Sequence, residues 1–144
     1  MVRLREIDEH NWRVDLCVAE AQRRFVADRS GLLARAYAYR AHRSRARLIF
    51  DDDLPVGMLL YYDCEAEAAY DFSQMFIDAR YQHRGLGRQA VRCALEEMRD
   101  DGRYDSVILC NIDGNEAARR LYEQLGFRPT GVVDGDEIIM RRTI

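Results

Sequence analysis

The chain contains no lysine; all 22 of its basic residues are arginine. A Walker-type phosphate loop needs a lysine on its phosphates, so that nucleotide site is excluded. No CxxC pair occurs among Cys17, Cys64, Cys93 and Cys110, and no metal site is expected. Cys17, Cys93 and Cys110 each sit in an apolar or amphipathic segment, where a thiol is expected to pack as a small buried hydrophobe. A G-x-S-x-G elbow is missing, which leaves a serine nucleophile unsupported. No run approaches the ~18 apolar residues of a membrane span, and no N-terminal stretch resembles a signal peptide. The expected location is the cytoplasm, with no membrane partner.

What remains is a chain of 144 residues, 48% hydrophobic and 33% charged, without repeats or a low-complexity linker. That length and composition suit a single domain over residues 1–144 with a full core. A net charge of -3 argues against nucleic acid as a partner and for a cationic one.

Residues 2–7 alternate as a first strand. Asp8 is placed to cap a helix over residues 9–27, with Trp12, Leu16, Ala19 and Val26 on its apolar side. Ser30 is placed to cap a second helix carrying Leu32, Leu33, Ala36 and Tyr37. Residues 45–51 and 56–64 read as a hairpin, and residues 69–78 as a further strand. Gly85 and Gly87 open a helix that runs to about residue 100, where Gly102 ends it. Residues 106–110 are an apolar central strand. Asn115 begins a fourth helix, with Gly126 placed as its C-cap. Residues 127–133 and 136–141 form a last hairpin through Asp134-Gly135. The order β-α-α-β-β-β-α-β-α-β-β describes an α/β (α+β) domain: a mixed sheet covered by helices.

Two segments carry candidate chemistry. Gln82-His83-Arg84-Gly85-Leu86-Gly87-Arg88 joins a strand end to a helix N-terminus. The first N–H groups of a helix lack internal partners and attract anions. Gly85 and Gly87 clear the approach, and Arg84 and Arg88 add positive charge. Taken alone, the segment suits either an anion site or a glycine-opened helix that holds nothing. Ala90 stands where a dinucleotide fingerprint has its third glycine, but the element order of a Rossmann unit is missing. In the second segment Asn115 and Tyr122 lie seven residues apart, two helical turns, and so share a face.

Together these segments resemble the GNAT superfamily of N-acetyltransferases. Gln82, Gly85 and Gly87 match that family's Q/R-x-x-G-x-G/A motif. Asn115, Ala118, Tyr122, Gly126 and Phe127 match its N-x-x-A-x-x-x-Y-x-x-x-G-F segment. The resemblance implies a mostly antiparallel sheet of about seven strands with four helices, and acetyl-CoA as cosubstrate. It implies that Gln82, His83, Arg84, Gly85, Leu86, Gly87 and Arg88 hold the pyrophosphate. Main-chain groups of Phe76 and Ile77 would pair with the pantetheine, and Asn115 would contact it. Tyr122 would be the general acid in a direct transfer to an amine. Asp71 and Glu20 are the candidate proton acceptors on the amine side, with Glu65 and Glu67 as longer-range acids.

A narrower likeness runs through residues 21–26, 55–58 and 76–82, which look like members that acetylate spermine, spermidine or diamines. The expected acceptor is thus a small polyamine or diamine. A protein N-terminus, an amino-sugar antibiotic and non-catalytic CoA sensing are the alternatives. A homodimer is expected to be possible, through a sheet edge or helix face.

Overall fold

A computed structural model describes residues Met1 to Ile144. It contains β1 (Val2–Glu6), α1 (Arg29–Ala38), β2 (Arg45–Asp51), β3 (Leu54–Cys64) and β4 (Ala69–Ile77). These are followed by α2 (Leu86–Asp101), β5 (Ser106–Ile112), α3 (Glu116–Gln124), β6 (Arg128–Asp134) and β7 (Glu137–Thr143). The seven strands make one sheet in the order β1-β2-β3-β4-β5-β7-β6. Every pairing is antiparallel except β4 with β5. The mixed sheet expected from the sequence is therefore present.

The core has two parts. On one face α2 buries Leu86, Ala90, Val91, Ala94, Leu95 and Met98 against Leu59, Tyr61, Tyr70 and Phe72. On the other face Leu32 of α1 and the segment before it cover Leu48, Met58, Leu60 and Phe76.

The first expected helix does not form. Residues 9–27 hold only turns, an isolated bridge from Val18 to Asp78, and a short 3-10 turn at Glu20–Gln22. Leu16 and Val18 are buried while Cys17 between them is exposed, a period of two rather than 3.6. Long-range bonds hold the segment extended. Cys17 N–H donates to Asp78 Oδ2 at 2.8 Å, and Ala27 N–H donates to Gln74 Oε1 at 2.9 Å. Asp8 closes a local turn instead of capping a helix: its carbonyl accepts from Asn11 and Trp12, its side chain from His10. The domain thus has three α-helices, not four. The cap of α1 is Asp28, which accepts from Gly31 N–H at 2.7 Å, rather than Ser30. Gly126 (φ +90°) comes one residue after the C-cap Leu125, where it lets Phe127 N–H turn back onto Tyr122 O.

The feature that positions the site is a parting of two strands. β4 and β5 pair only at Tyr70 with Val107 and Asp71 with Ile108. The β3–β4 register shifts there: Tyr61 faces Phe72 and Leu60 faces Gln74, so Ser73 is an extra residue. Such a bulge bends and twists its strand. Here it turns β4 away from β5 just after Asp71. Farther along, Gly57 lets β3 stay close to β4, since a Cβ there would lie 2.2 Å from Phe76 O.

Arginine chemistry fastens the opposite end. The Asp63 carboxylate, with its side chain 2% exposed, meets Arg43 at 2.6 Å, Arg103 at 3.0 Å and Arg45 at 3.4 Å. Arg43 also reaches Asp101 at 2.8 Å, and Asp101 accepts from Tyr70 Oη at 2.5 Å. The planar guanidinium of Arg43 bridges two carboxylates at once, a geometry an ammonium does not offer. Asp63→Ala leaves the largely buried Arg45 guanidinium without its carboxylate, with its Nη1 already unpaired, while the more exposed Arg43 and Arg103 regain water. The expected loss is about 2–3 kcal/mol, read as a lowered urea midpoint with unchanged slope.

Candidate active site

The gap between β4 and β5 opens into a cleft of about 480 Å³, within the range of small-molecule sites. Its walls come from β4, β5, the α2 N-terminus, α3, the start of β7, and α1 with the segment before it.

One end is an anion cradle. The buried Asp78 carboxylate accepts from Arg80 N–H, the Arg80 guanidinium and Cys17 N–H, and these donors hold it down at about 2. This anchors the loop that follows. Gln82 Nε2 donates to Ile77 O at 2.9 Å and closes the loop onto the strand end. His83 and Gly85 then take left-handed conformations, with φ of +64° and +75°. No main-chain N–H from Gln82 to Arg88 is hydrogen-bonded within the protein, and Gly85 offers no capping side chain to α2. These are the donors an anion needs.

Gln82, His83, Gly85, Leu86 and Gly87 line the cleft; Arg84 and Arg88 do not. Arg84 lies over the Tyr81 ring at 5.8 Å, and Arg88 bonds Gln124 of α3. The two arginines therefore act at the rim rather than in the lining.

The strand edge needs one correction. Asp78 N–H donates to Val56 O at 2.7 Å, and Phe76 O lies against Gly57. In an antiparallel ladder the polar groups alternate in direction. Phe76 thus turns its main chain toward β3, while Met75 and Ile77 turn theirs toward the gap. Ile77 keeps its expected place, although its carbonyl is shared with Gln82. Met75, not Phe76, is the second residue with main-chain groups facing the cleft. The Phe76 side chain still lines it.

Asn115 and Tyr122 of the α3 segment come together in the cleft, as their spacing required. Asn115 is buried, yet its side chain makes no capping bond and no other hydrogen bond within the protein. Tyr122 packs edge-on against Phe72 and Phe127 at 6.3 and 5.8 Å, and its hydroxyl has no protein partner. Burial pushes that hydroxyl up to about 12, so it stays protonated at neutral pH.

Asp71 stands at the vertex where β4 and β5 part. Burial pushes its carboxyl up to about 6, with Arg35 pulling it down and Glu137 pushing it up. Glu20 is exposed on its 3-10 turn and outside the lining; Gln22 of the same turn is inside it. Glu65 and Glu67 also lie outside. Cys110 lines the cleft and is exposed, as is Cys17 elsewhere, against the expectation of buried thiols. Partial desolvation by the cleft walls, with the nearby Asp71, Glu137 and Asp134 carboxylates, holds the Cys110 thiol up at about 11, which disfavours a thiolate nucleophile.

Several lining residues carry no sequence signal: Arg35 and Tyr39 near α1, Ser73 at the bulge, and Glu137 on β7. Glu137 lies directly after the Asp134-Gly135 turn, and Arg35 is one arginine among many. No local spacing singles them out.

A model of the family described as Acetyltransferase (GNAT) matches residues 1–127, which include both motif segments. A spermine/spermidine N(1)-acetyltransferase of Bacillus subtilis is 29% identical over 70 residues. That match covers 47% of this chain and 46% of the relative, so the chain spans about half the length of this curated relative. The fold is similar to aminoglycoside acetyltransferase AAC(6')-Ib solved with coenzyme A (TM-score 0.77, 18% identity, 99% of this chain and 95% of that one). It is also similar to spermidine N-acetyltransferase from Vibrio cholerae solved with CoA and spermine (TM-score 0.74, 18% identity, 99% and 94% covered).

Gly87 gives a test of the cradle. A Cβ there would point at Met75, Ile77 and Leu121, at 3.5 to 3.8 Å, without a clash inside the protein. Gly87→Ala is expected to stabilise the fold by about 0.5–1 kcal/mol. The same methyl intrudes on the cleft, so the KM for acetyl-CoA rises roughly tenfold. A thermal melt and a saturation curve read the two opposite effects.

Proposed function

The chain belongs to the acetyltransferase (GNAT) family, and we propose that it transfers an acetyl group from acetyl-CoA directly to a small primary amine. The observation that carries this reading is the presence of two unpaired sets in the lining of one cleft. The free N–H groups at the start of α2 are one set, and the free side chains of Asn115 and Tyr122 on the neighbouring α3 segment are the other. The cradle suits a pyrophosphate, the free edge of β4 at Met75 and Ile77 suits an amide-bearing arm, and Asn115 suits an amide contact.

Bound acetyl-CoA supplies an activated thioester. An alkylamine arrives as an ammonium with a pKa of about 10. Asp71 accepts its proton, and a carboxyl raised to about 6 is a better acceptor than an ordinary one. The nitrogen then forms its bond to the acetyl carbon as the carbon–sulfur bond breaks. Tyr122 donates its hydroxyl proton to the departing sulfur, and the second proton of the attacking nitrogen, made acidic as the amide forms, returns through solvent to the Tyr122 oxygen, while Asp71 releases its proton to solvent. Cys110, held as a thiol, takes no part, which supports direct transfer.

For the acceptor, a diamine or small polyamine is the reading supported by Asp71 and Glu137 in the lining and by the names of the Bacillus and Vibrio proteins. An amino-sugar acceptor is the second reading, supported by the likeness to AAC(6')-Ib.

Tyr122→Phe is expected to lower kcat by roughly 10²-fold while acetyl-CoA binding is retained. Undiminished thiol release from that variant would sink the general-acid role and leave CoA sensing as the better account. The pH profile tests Asp71. The carboxylate form is the active one, so kcat/KM falls as pH drops below about 6 and is level from there toward the amine pKa. Asp71→Asn removes that acid limb and lowers the plateau; a limb that persists in the variant assigns the base elsewhere.

A further inference from the structure

Charges of opposite sign enter the cleft around Asp71 from different elements. Glu137 enters from β7, and its charge reaches the Cys110 thiol and Asp71. Arg35 enters from α1, and its charge reaches Asp71 as well. Arg35 is the one arginine in the lining, and it forms no ion pair with any carboxylate. It is exposed at the cleft mouth, and one hydrogen bond ties it to the strand. Its Nη1 donates to Ser73 Oγ at 3.2 Å, and the same oxygen accepts from Tyr62 Oη at 3.1 Å. Tyr62 is in turn stacked on Tyr39 at 4.1 Å, with the rings 12° from parallel. The bulged residue Ser73 thus ties the guanidinium to β4, two residues from Asp71.

An unpaired cation held in an amine-binding cleft has a definite effect. It costs nothing to an acceptor that is neutral on that side, and it repels one that carries an ammonium there. We infer that Arg35 is a charge filter: the cleft takes a short amine whose second ammonium turns toward Glu137, and it disfavours long polyamines that extend a cation past Ser73 toward α1. This rests on the amine-acceptor reading above and narrows it to the short diamine end. It adds a repulsive element to an attractive one, and repulsion is what separates acceptors sharing the same reacting group.

The test compares kcat/KM for butylamine, diaminobutane and spermine in the wild type and in Arg35→Gln, Arg35→Lys and Glu137→Gln, with acetyl-CoA saturating. Removing one partly solvated unit charge near a second is expected to change a ratio roughly threefold to tenfold. Arg35→Gln should raise spermine relative to diaminobutane by that factor. Arg35→Lys, which keeps the charge, should hold the wild-type ratio. Glu137→Gln should lower diaminobutane relative to butylamine roughly threefold to tenfold. If amines turn over but the spermine ratio is the same in Arg35→Gln and the wild type, the filter is wrong and the acetyltransferase reading stands. If Arg35→Lys behaves as Arg35→Gln does, the effect belongs to shape rather than charge, and the filter is again wrong. If no amine releases thiol even in the wild type, the acceptor reading falls and the filter falls with it.

Discussion

The broken pairing between β4 and β5 is the constraint on which the rest of the site depends. Main-chain polar groups in a protein interior must find partners. Past Asp71 the facing edges of these two strands no longer serve each other. Met75 and Ile77 of β4 therefore present polar edges to a gap that side chains leave open. The bulge at Ser73 makes the gap by bending one strand. Gly57 preserves the other side of that strand, because its missing Cβ keeps β3 in contact. A sheet of seven strands is thus whole at one end and parted at the other.

Each wall of the gap then has its own origin. The α2 N-terminus faces it because the Asp78 anchor fixes where the preceding loop begins. α3 faces it because Phe127, fully buried after the turn at Gly126, pulls the end of that helix onto the core. Asp71 sits where pairing stops, largely out of water, and that burial is the first cause of its upward shift. Geometry and acidity there share one cause.

The helix-start loop and the Asn115–Tyr122 pair of this cleft are legible in the sequence and its other walls are not, for a physical reason. Anion binding at a helix start uses consecutive main-chain groups, so glycines at fixed spacing announce it. Asn115 and Tyr122 lie on one helix, where spacing alone determines a shared face. The other walls are built from α1, β4 and β7, which are remote in the chain and meet only through the tertiary fold. The sequence does not distinguish Phe76 from Met75 at the gap, because the direction of a strand's polar groups depends on its partner's register. Four apolar residues near helical spacing make residues 9–27 look helical. Alternation at Leu16, Cys17 and Val18, with tertiary bonds to Asp78 and Gln74, outweighed that weak periodicity. β-strands and the longer helices, whose patterns are strong and local, needed no such arbitration.

The missing lysine has a meaning that composition alone does not convey. A protein that binds a reactive thioester exposes its own surface to acylation, and a lysine ε-amine is the side chain that accepts an acyl group. Every basic side chain here is a guanidinium, which keeps its proton and is a poor nucleophile at any physiological pH. The arginines that lock Asp63, and Arg35 in the cleft lining, therefore hold their charge permanently. None of them competes with the incoming amine for the acyl group, and none is silenced by the donor it stands beside.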